Sequence, residues 1–303
     1  MPMHYIPGAP PQLRTAAGLA SMLPVTAGAL AVGLLTGSKR HGVNFFTANW
    51  PQFMLSAGGV SINVVGEENL HLCRPAVFIF NHRNSFDVFV AAALVREDWT
   101  AVGKKELEND PIAGTIGRIV DAAFIERDDP RKSVEGLRKV EELARKGLSV
   151  IIAPEGTRVA APQVGPFKKG PFRIAMAVGI PIVPIVIRNA EVMGARNSLT
   201  LHAGTVDVAV LPPVAVDTWT VEELPDRIDT IRQLYIDTLQ RWPVRAPTKA
   251  STGQPGSAAP AKPTKAVSAA AVDADKRQPQ KPTSNKTVAR KSRPRDGRPG
   301  RQP

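Results

Sequence analysis

A strand that is apolar on both faces can sit in only one kind of sheet. Residues Ala76 to Phe80 read AVFIF, five apolar positions in succession, where a strand with one wet face would alternate apolar and polar. Such a strand has to lie inside a sheet that is covered on both sides. Similar runs recur at Val60 to Val65, Thr100 to Val102, Ala122 to Ile125, Leu148 to Ala153, Ile182 to Ile187 and Val206 to Leu211. Between them the pattern is helical, at Ser85 to Val95, Pro111 to Val120, Arg131 to Lys146 and Thr220 to Gln240. Gly147 stops the third of these, and Thr220 with Glu223 forms a capping-box signature before the fourth. Apolar runs alternating with amphipathic helices predict an α/β fold, a mostly parallel central sheet flanked by helices. In such sheets the functional residues gather beyond the carboxyl ends of the strands.

Charge separates the chain into parts. Residues 246–303 hold 13 of the 39 basic residues and 3 of the 27 acidic ones, a net +10, which leaves 26 basic against 24 acidic residues in the first 245. The high isoelectric point therefore belongs to the tail and does not mark the folded part as a nucleic-acid binder. The tail is dominated by Pro, Ala, Lys, Arg, Ser and Thr and cannot bury enough apolar surface to offset the entropy of ordering, so it reads as disordered. It contains no aromatic residue for base stacking, so no specific nucleic acid is expected as a partner. It can solubilise the chain, or attract it to an anionic lipid surface. The single cysteine, Cys73, excludes an internal disulfide, and no Cys/His cluster has zinc spacing.

Before Gly58 the character changes. Ala16 to Thr36 is free of charge, between Arg14 and the cluster Lys39-Arg40-His41, and is long enough to span a bilayer core. Val43 to Ala57 adds Phe45, Phe46, Trp50 and Phe53, residues suited to a membrane interface. A spanning helix, a helix pair lying in or dipping into one leaflet, a secretory signal without a convincing cleavage site and a buried helix of a soluble core all meet this description, and membrane attachment is favoured. The first 15 residues, rich in Pro, read as irregular. The expected organisation is a membrane-anchoring helical segment over 1–57, an α/β domain over 58–245 and the tail over 246–303.

Four strand ends carry charge: His82 and Asp87, Lys104 and Lys105, Glu126 and Arg127, Glu155 and Arg158. Residues five apart on a continuous helix lie about 140° round its axis. His82 and Asp87 can therefore meet only if His82 is in the turn and Asp87 in the first helical turn. Asn84 as N-cap would put Asp87 at N3, where it could orient the imidazole or simply complete a capping box. No G-x-S-x-G elbow or other nucleophile is evident, so a base here would act on a substrate hydroxyl. In Pro154-Glu155-Gly156-Thr157-Arg158, the glycine permits close backbone approach and the arginine offers a fork for an anionic oxygen. A tight turn closed by an internal Glu–Arg contact is the alternative.

Taken in order, NH-x4-D, KKEL, FIER, PEGTR and the VPIVI strand resemble the lysophosphatidic acid acyltransferase family of membrane glycerolipid acyltransferases, over about Asn81 to Ile187. The resemblance implies that His82 is the general base towards a glycerol hydroxyl, with Asp87 orienting it. It implies that Lys105 and Arg127 contact the acceptor phosphate, that the turn of Glu155, Gly156, Thr157 and Arg158 completes the acceptor site, and that Val183-Pro184-Ile185 helps wall the acyl chain. The implied donor is acyl-CoA or acyl-carrier protein, the acceptor a lysophospholipid such as 1-acylglycerol 3-phosphate, and the partner surface the lipid bilayer. The implied location is the cell membrane with the site on its cytoplasmic face, with no metal or bound cofactor. The chain departs from the family pattern at Asn84, Ala153 and Val159, none of them charged. Its D-x-D, Asp273 and Asp275, lies in the tail before Lys276, so no attached phosphatase is expected.

Overall fold

The computed structural model describes residues 8–126, 130–196, 198 and 200–243. Three helices come first, α1 (Pro11–Ala20), α2 (Met22–Thr36) and α3 (Lys39–Gly58). Then follow β1 (Val60–Val65), β2 (Val77–Phe80), α4 (Asp87–Val95), β3 (Trp99–Lys104), α5 (Ala113–Ile119), β4 (Ala123–Ile125), α6 (Pro130–Arg145), β5 (Ser149–Ile152), α7 (Gly170–Val178), β6 (Ile182–Arg188), β7 (Gly204–Val210) and α8 (Leu224–Gln240). The seven strands form one sheet in the order β1-β7-β6-β2-β5-β3-β4. All neighbours are parallel except β6 and β7.

The uninterrupted apolar reading of β2 has its cause in two cores. Phe78 and Phe80 join one cluster, with Val90, Leu94 and Met54 from α4 and α3. Val77 and Ile79 point to the opposite face, into a cluster with Val140 of α6, Phe172 and Ile174 of α7, and Ile228, Ile231 and Tyr235 of α8. Side chains of a strand alternate between faces, so a strand covered on both must be apolar at every position. The Tyr235 hydroxyl donates to the Ile79 carbonyl at 2.7 Å, which fixes α8 to β2.

Several boundaries differ from the sequence reading, among them the start of α8, at Leu224 and not Thr220. The chain is already helical at Pro11, where the Pro-rich opening suggested irregular structure: Pro fits the first turn of a helix, where its missing N–H is not needed. α1 and α2 run on through Ser21, whose N–H bonds Ala17, and together form a 26-residue apolar helix long enough to cross a membrane by length and composition. Regular helix α4 starts at Asp87, two residues after the predicted Ser85. The tail, expected to be disordered, and its D-x-D lie outside the described residues, as does Arg127.

Candidate active site

Because β2, β5, β3 and β4 are neighbours and parallel, their carboxyl ends share one rim. The His82 turn follows β2, the PEGTR turn follows β5 beside it, and Lys104-Lys105 ends β3 one strand further on. Strands lie about 4.8 Å apart, so the first two groups are adjacent and the lysines begin about 10 Å from the histidine strand.

Leaving β2, Asn81 continues the ladder with its side chain. Its Nδ2 donates to the Ile187 carbonyl at 2.9 Å, and its Oδ1 accepts from the Ile187 N–H at 2.7 Å. The turn that follows is built around Asp87, which is wholly buried. Asp87 Oδ2 lies 3.0 Å from His82 Nδ1, accepts from the Asn84 N–H at 2.8 Å, and accepts from the Arg83 N–H as well. The Asn84 side-chain oxygen in turn accepts from the Phe86 N–H at 2.8 Å. One bond of a capping box is therefore present, from the Asn84 N–H to Asp87, while Asn84 Oδ1 goes to the Phe86 N–H instead of that of Asp87, and the same carboxylate meets the imidazole. Capping and orientation are one arrangement here, not alternatives.

With Nδ1 donating to a carboxylate, the lone pair sits on Nε2. The His82 side chain is 21% exposed, against 0% for Asp87, so the imidazole meets solvent while its partner does not. Phe80 packs edge-on against the ring, 5.7 Å between centroids.

Glu155 lies elsewhere than the motif reading put it. It is 3% exposed, and both oxygens are taken by backbone: Oε2 accepts from the His82 N–H at 2.8 Å and Oε1 from the Gly165 N–H at 2.9 Å. It braces the histidine turn, with both carboxylate oxygens engaged by backbone N–H groups. Burial pushes its carboxyl above the ordinary glutamate range, and these two N–H groups with the nearby charges of Arg83 and His82 pull it partly back. Gly156 adopts φ +68°, a left-handed conformation that costs other residues strain, and Lys168 runs over it. Thr157 is exposed, and Arg158 Nη1 donates to the Arg196 carbonyl at 3.0 Å. Lys105 pairs with Glu108 at 2.5 Å and Lys104 with Glu106 at 2.6 Å, all four well exposed. The structure thus joins His82, Asp87 and the PEGTR turn directly and leaves Lys105 engaged further along the rim. Pro184 and Ile185 of β6 pair with Ile79 and Phe80 next to the histidine.

Backbone N–H groups near the histidine suggest themselves as donors to an oxyanion. Those of His82, Arg83 and Asn84 are all spent, on Glu155 and Asp87.

Sequence reasoning missed Arg83. It is buried, and its Nη1 donates to the carbonyls of Val159 (3.1 Å), Ala160 (3.4 Å) and Gln163, while the Val159 N–H returns a bond to the His82 carbonyl at 2.8 Å. A basic residue beside the histidine, immediately after a doubly buried strand, was the available signal. A cleft of about 440 Å³ is bordered by Gln52, Asn63, His71 and Arg96 and by none of the site residues.

An acyltransferase family model matches residues 61–188. A 1-acyl-sn-glycerol-3-phosphate acyltransferase from Cocos nucifera is 32% identical over 165 residues, 54% of each chain. One from Saccharomyces cerevisiae is 28% identical over 206 residues, 67% of this chain and 68% of the relative. One from Salmonella typhimurium is 29% identical over 180 residues, 59% of this chain and 73% of the relative. Against the plant relatives from Cocos nucifera and Limnanthes alba, the matched region spans 54% and 64% of their length. The crystal structure of a 1-acyl-sn-glycerophosphate acyltransferase from Thermotoga maritima superposes with a TM-score of 0.64 at 22% identity, over 77% of this chain and 98% of that one, a likeness of fold.

Proposed function

Since the chain belongs to the lysophosphatidic acid acyltransferase family, we propose that it transfers a fatty acyl group from acyl-CoA, or from acyl-carrier protein, to the free hydroxyl of 1-acylglycerol 3-phosphate, giving phosphatidic acid. The observation that carries this reading is the contact of 3.0 Å between His82 Nδ1 and the buried Asp87 carboxylate at the end of β2. An imidazole held in that tautomer takes the hydroxyl proton on Nε2 as the alkoxide attacks the thioester carbonyl. The C–S bond then breaks, the thiolate leaves, and the imidazolium returns a proton to it. Asp87 keeps the ring oriented and stabilises its charged form. Arg158, one strand over from the histidine, supplies a guanidinium for the acceptor phosphate, Lys105 extends the cationic rim, and Arg127 is a further proposed phosphate contact.

The acyl chain of the acceptor lies in a lipid phase, and the N-terminal helices suit contact with it. Leu23, Leu30, Leu34 and Leu35 of α2 are exposed, while Val25 and Ala29 pack with Phe46 and Trp50 of α3. A helix whose one side is fixed along α3 and whose other side is a leucine stripe is suited to lie in one leaflet. Thus we favour monotopic attachment to the cell membrane, with the site open to the cytoplasmic pool of donor.

The direct test is an acceptor panel. Purified protein is given one labelled acyl-CoA with lysophosphatidic acid, glycerol 3-phosphate or lysophosphatidylcholine. Labelled phosphatidic acid from the first acceptor is the expected product. Label only in another lipid would change the acceptor, and label in none would overturn the acyltransferase assignment.

A further inference from the structure

The loop after the PEGTR turn has no ladder of its own to hold it, yet it touches the catalytic turn at several points. Arg83 grips it from the histidine side through the carbonyls of Val159, Ala160 and Gln163. On the opposite side Arg232 of α8 donates from Nε to the Gly165 carbonyl at 2.8 Å and to the Val164 carbonyl at 3.2 Å, and from Nη2 to the Val164 carbonyl at 2.6 Å. Gly165 is the residue whose N–H reaches Glu155 Oε1 at 2.9 Å, and the other oxygen of Glu155 holds the His82 N–H at 2.8 Å. The two legs of the loop are tightly closed there: a Cβ on Gly165 would lie 2.9 Å from Val159 Cγ2 and 3.6 Å from Glu155 Cγ.

On the acyl-transfer reading above, we infer that Arg232 is a positioning residue for the reaction, holding His82 in register through Gly165 and Glu155. α8 is a fixed support for this purpose. Its Tyr235 bonds the backbone of β2, the strand that delivers His82, and Ile228 and Ile231 are buried beneath it. Strand and latch are therefore tied to each other, and the histidine turn is held from both. A guanidinium is the side chain this latch needs, because it reaches two successive carbonyls in one plane, which a lysine ammonium does not do with the same fixed geometry. Arg232 acts on the loop backbone at Val164 and Gly165. Losing it should displace the base and leave substrate affinity in place.

The test compares Arg232→Met and Arg232→Lys in the wild-type and Glu155→Gln backgrounds, with kcat, KM for lysophosphatidic acid and melting temperature measured on each. Arg232→Met is expected to lower kcat by roughly tenfold or more, since small displacements of a reacting group are costly. KM should stay within about twofold, the pattern of a lost transition-state interaction. Arg232→Lys should recover part of the loss with a melting temperature near that of the wild type. In the Glu155→Gln background the same change should cost far less, because the path is already cut. Unchanged kcat in Arg232→Met, a loss expressed in KM alone, or an equal loss in both backgrounds would overturn the inference. Should Arg232→Met fail to fold, Arg232→Lys decides: wild-type kcat in that variant contradicts the role. Absence of turnover in the wild type would instead fail the acyl-transfer reading.

Discussion

At the scale of single residues, distance and engagement separate cations that looked equivalent in the sequence. Lys105 is tied to Glu108 on an open surface, and exposed pairs of that kind contribute about 0–1 kcal/mol. It can be drawn from that partner, but it starts two strands from the histidine. Arg158 starts one strand away, on the turn that Glu155 anchors to His82 itself. Arg158→Ala is therefore expected to raise the KM for lysophosphatidic acid by roughly tenfold or more, in line with loss of a charge-assisted phosphate contact. Lys105→Ala should raise it by only about twofold to threefold. Initial rates at varied acceptor and saturating acyl-CoA check both. Equal effects would mean that the rim cations share the phosphate.

Elements differ in how far sequence alone reveals them. β1 runs over Val60–Val65, as its residues read, and the doubly apolar runs became strands because two-face burial leaves an unmistakable pattern. The reach of α4 was less legible. Phe86 and Ser85 look helical, but the Asp87 carboxylate draws the preceding N–H groups into a turn of its own. The site followed the same division. His82, Asp87 and the PEGTR turn carry a motif, whereas the placement of Glu155 behind the histidine depends on the return of a distant loop at Gly165, which no local spacing encodes. Arg232 occupies an ordinary polar position of an amphipathic helix and carries no signal. The exposed leucines of α2 are an element-scale property too. Leu34 and Leu35 are 83% and 88% exposed at the end of that helix, beside Lys39 and Arg40. Leu34→Glu with Leu35→Glu should reduce co-sedimentation with phosphatidylglycerol-containing vesicles several-fold, at about 0.8 kcal/mol per withdrawn CH₂. Activity on detergent-dispersed substrate should persist. Unchanged sedimentation would remove this helix from the bilayer contact.

For the whole molecule, charge is unevenly placed. The first 245 residues are nearly neutral and the last 58 carry +10. If that tail acts as an electrostatic tether, removing residues 246–303 should weaken binding to acidic vesicles at low salt and make little difference at high salt, where screening has already removed the attraction. Turnover on dispersed substrate should be retained. Vesicle binding that ignores the truncation at every ionic strength would leave the tail without a membrane role. The folded part, by contrast, holds His82 through several elements at once. Two cores clamp β2, the strand ends in a ladder continued by Asn81, and Asp87, Glu155 and Arg83 each hold the next residues from a different side. The measurement that tests this most directly is the turnover of His82→Ala with lysophosphatidic acid and labelled acyl-CoA, on protein shown to melt like the wild type. General-base catalysis by His82 predicts a fall in kcat on the order of a hundredfold to ten-thousandfold. Phosphatidic acid formed at the wild-type rate would contradict it.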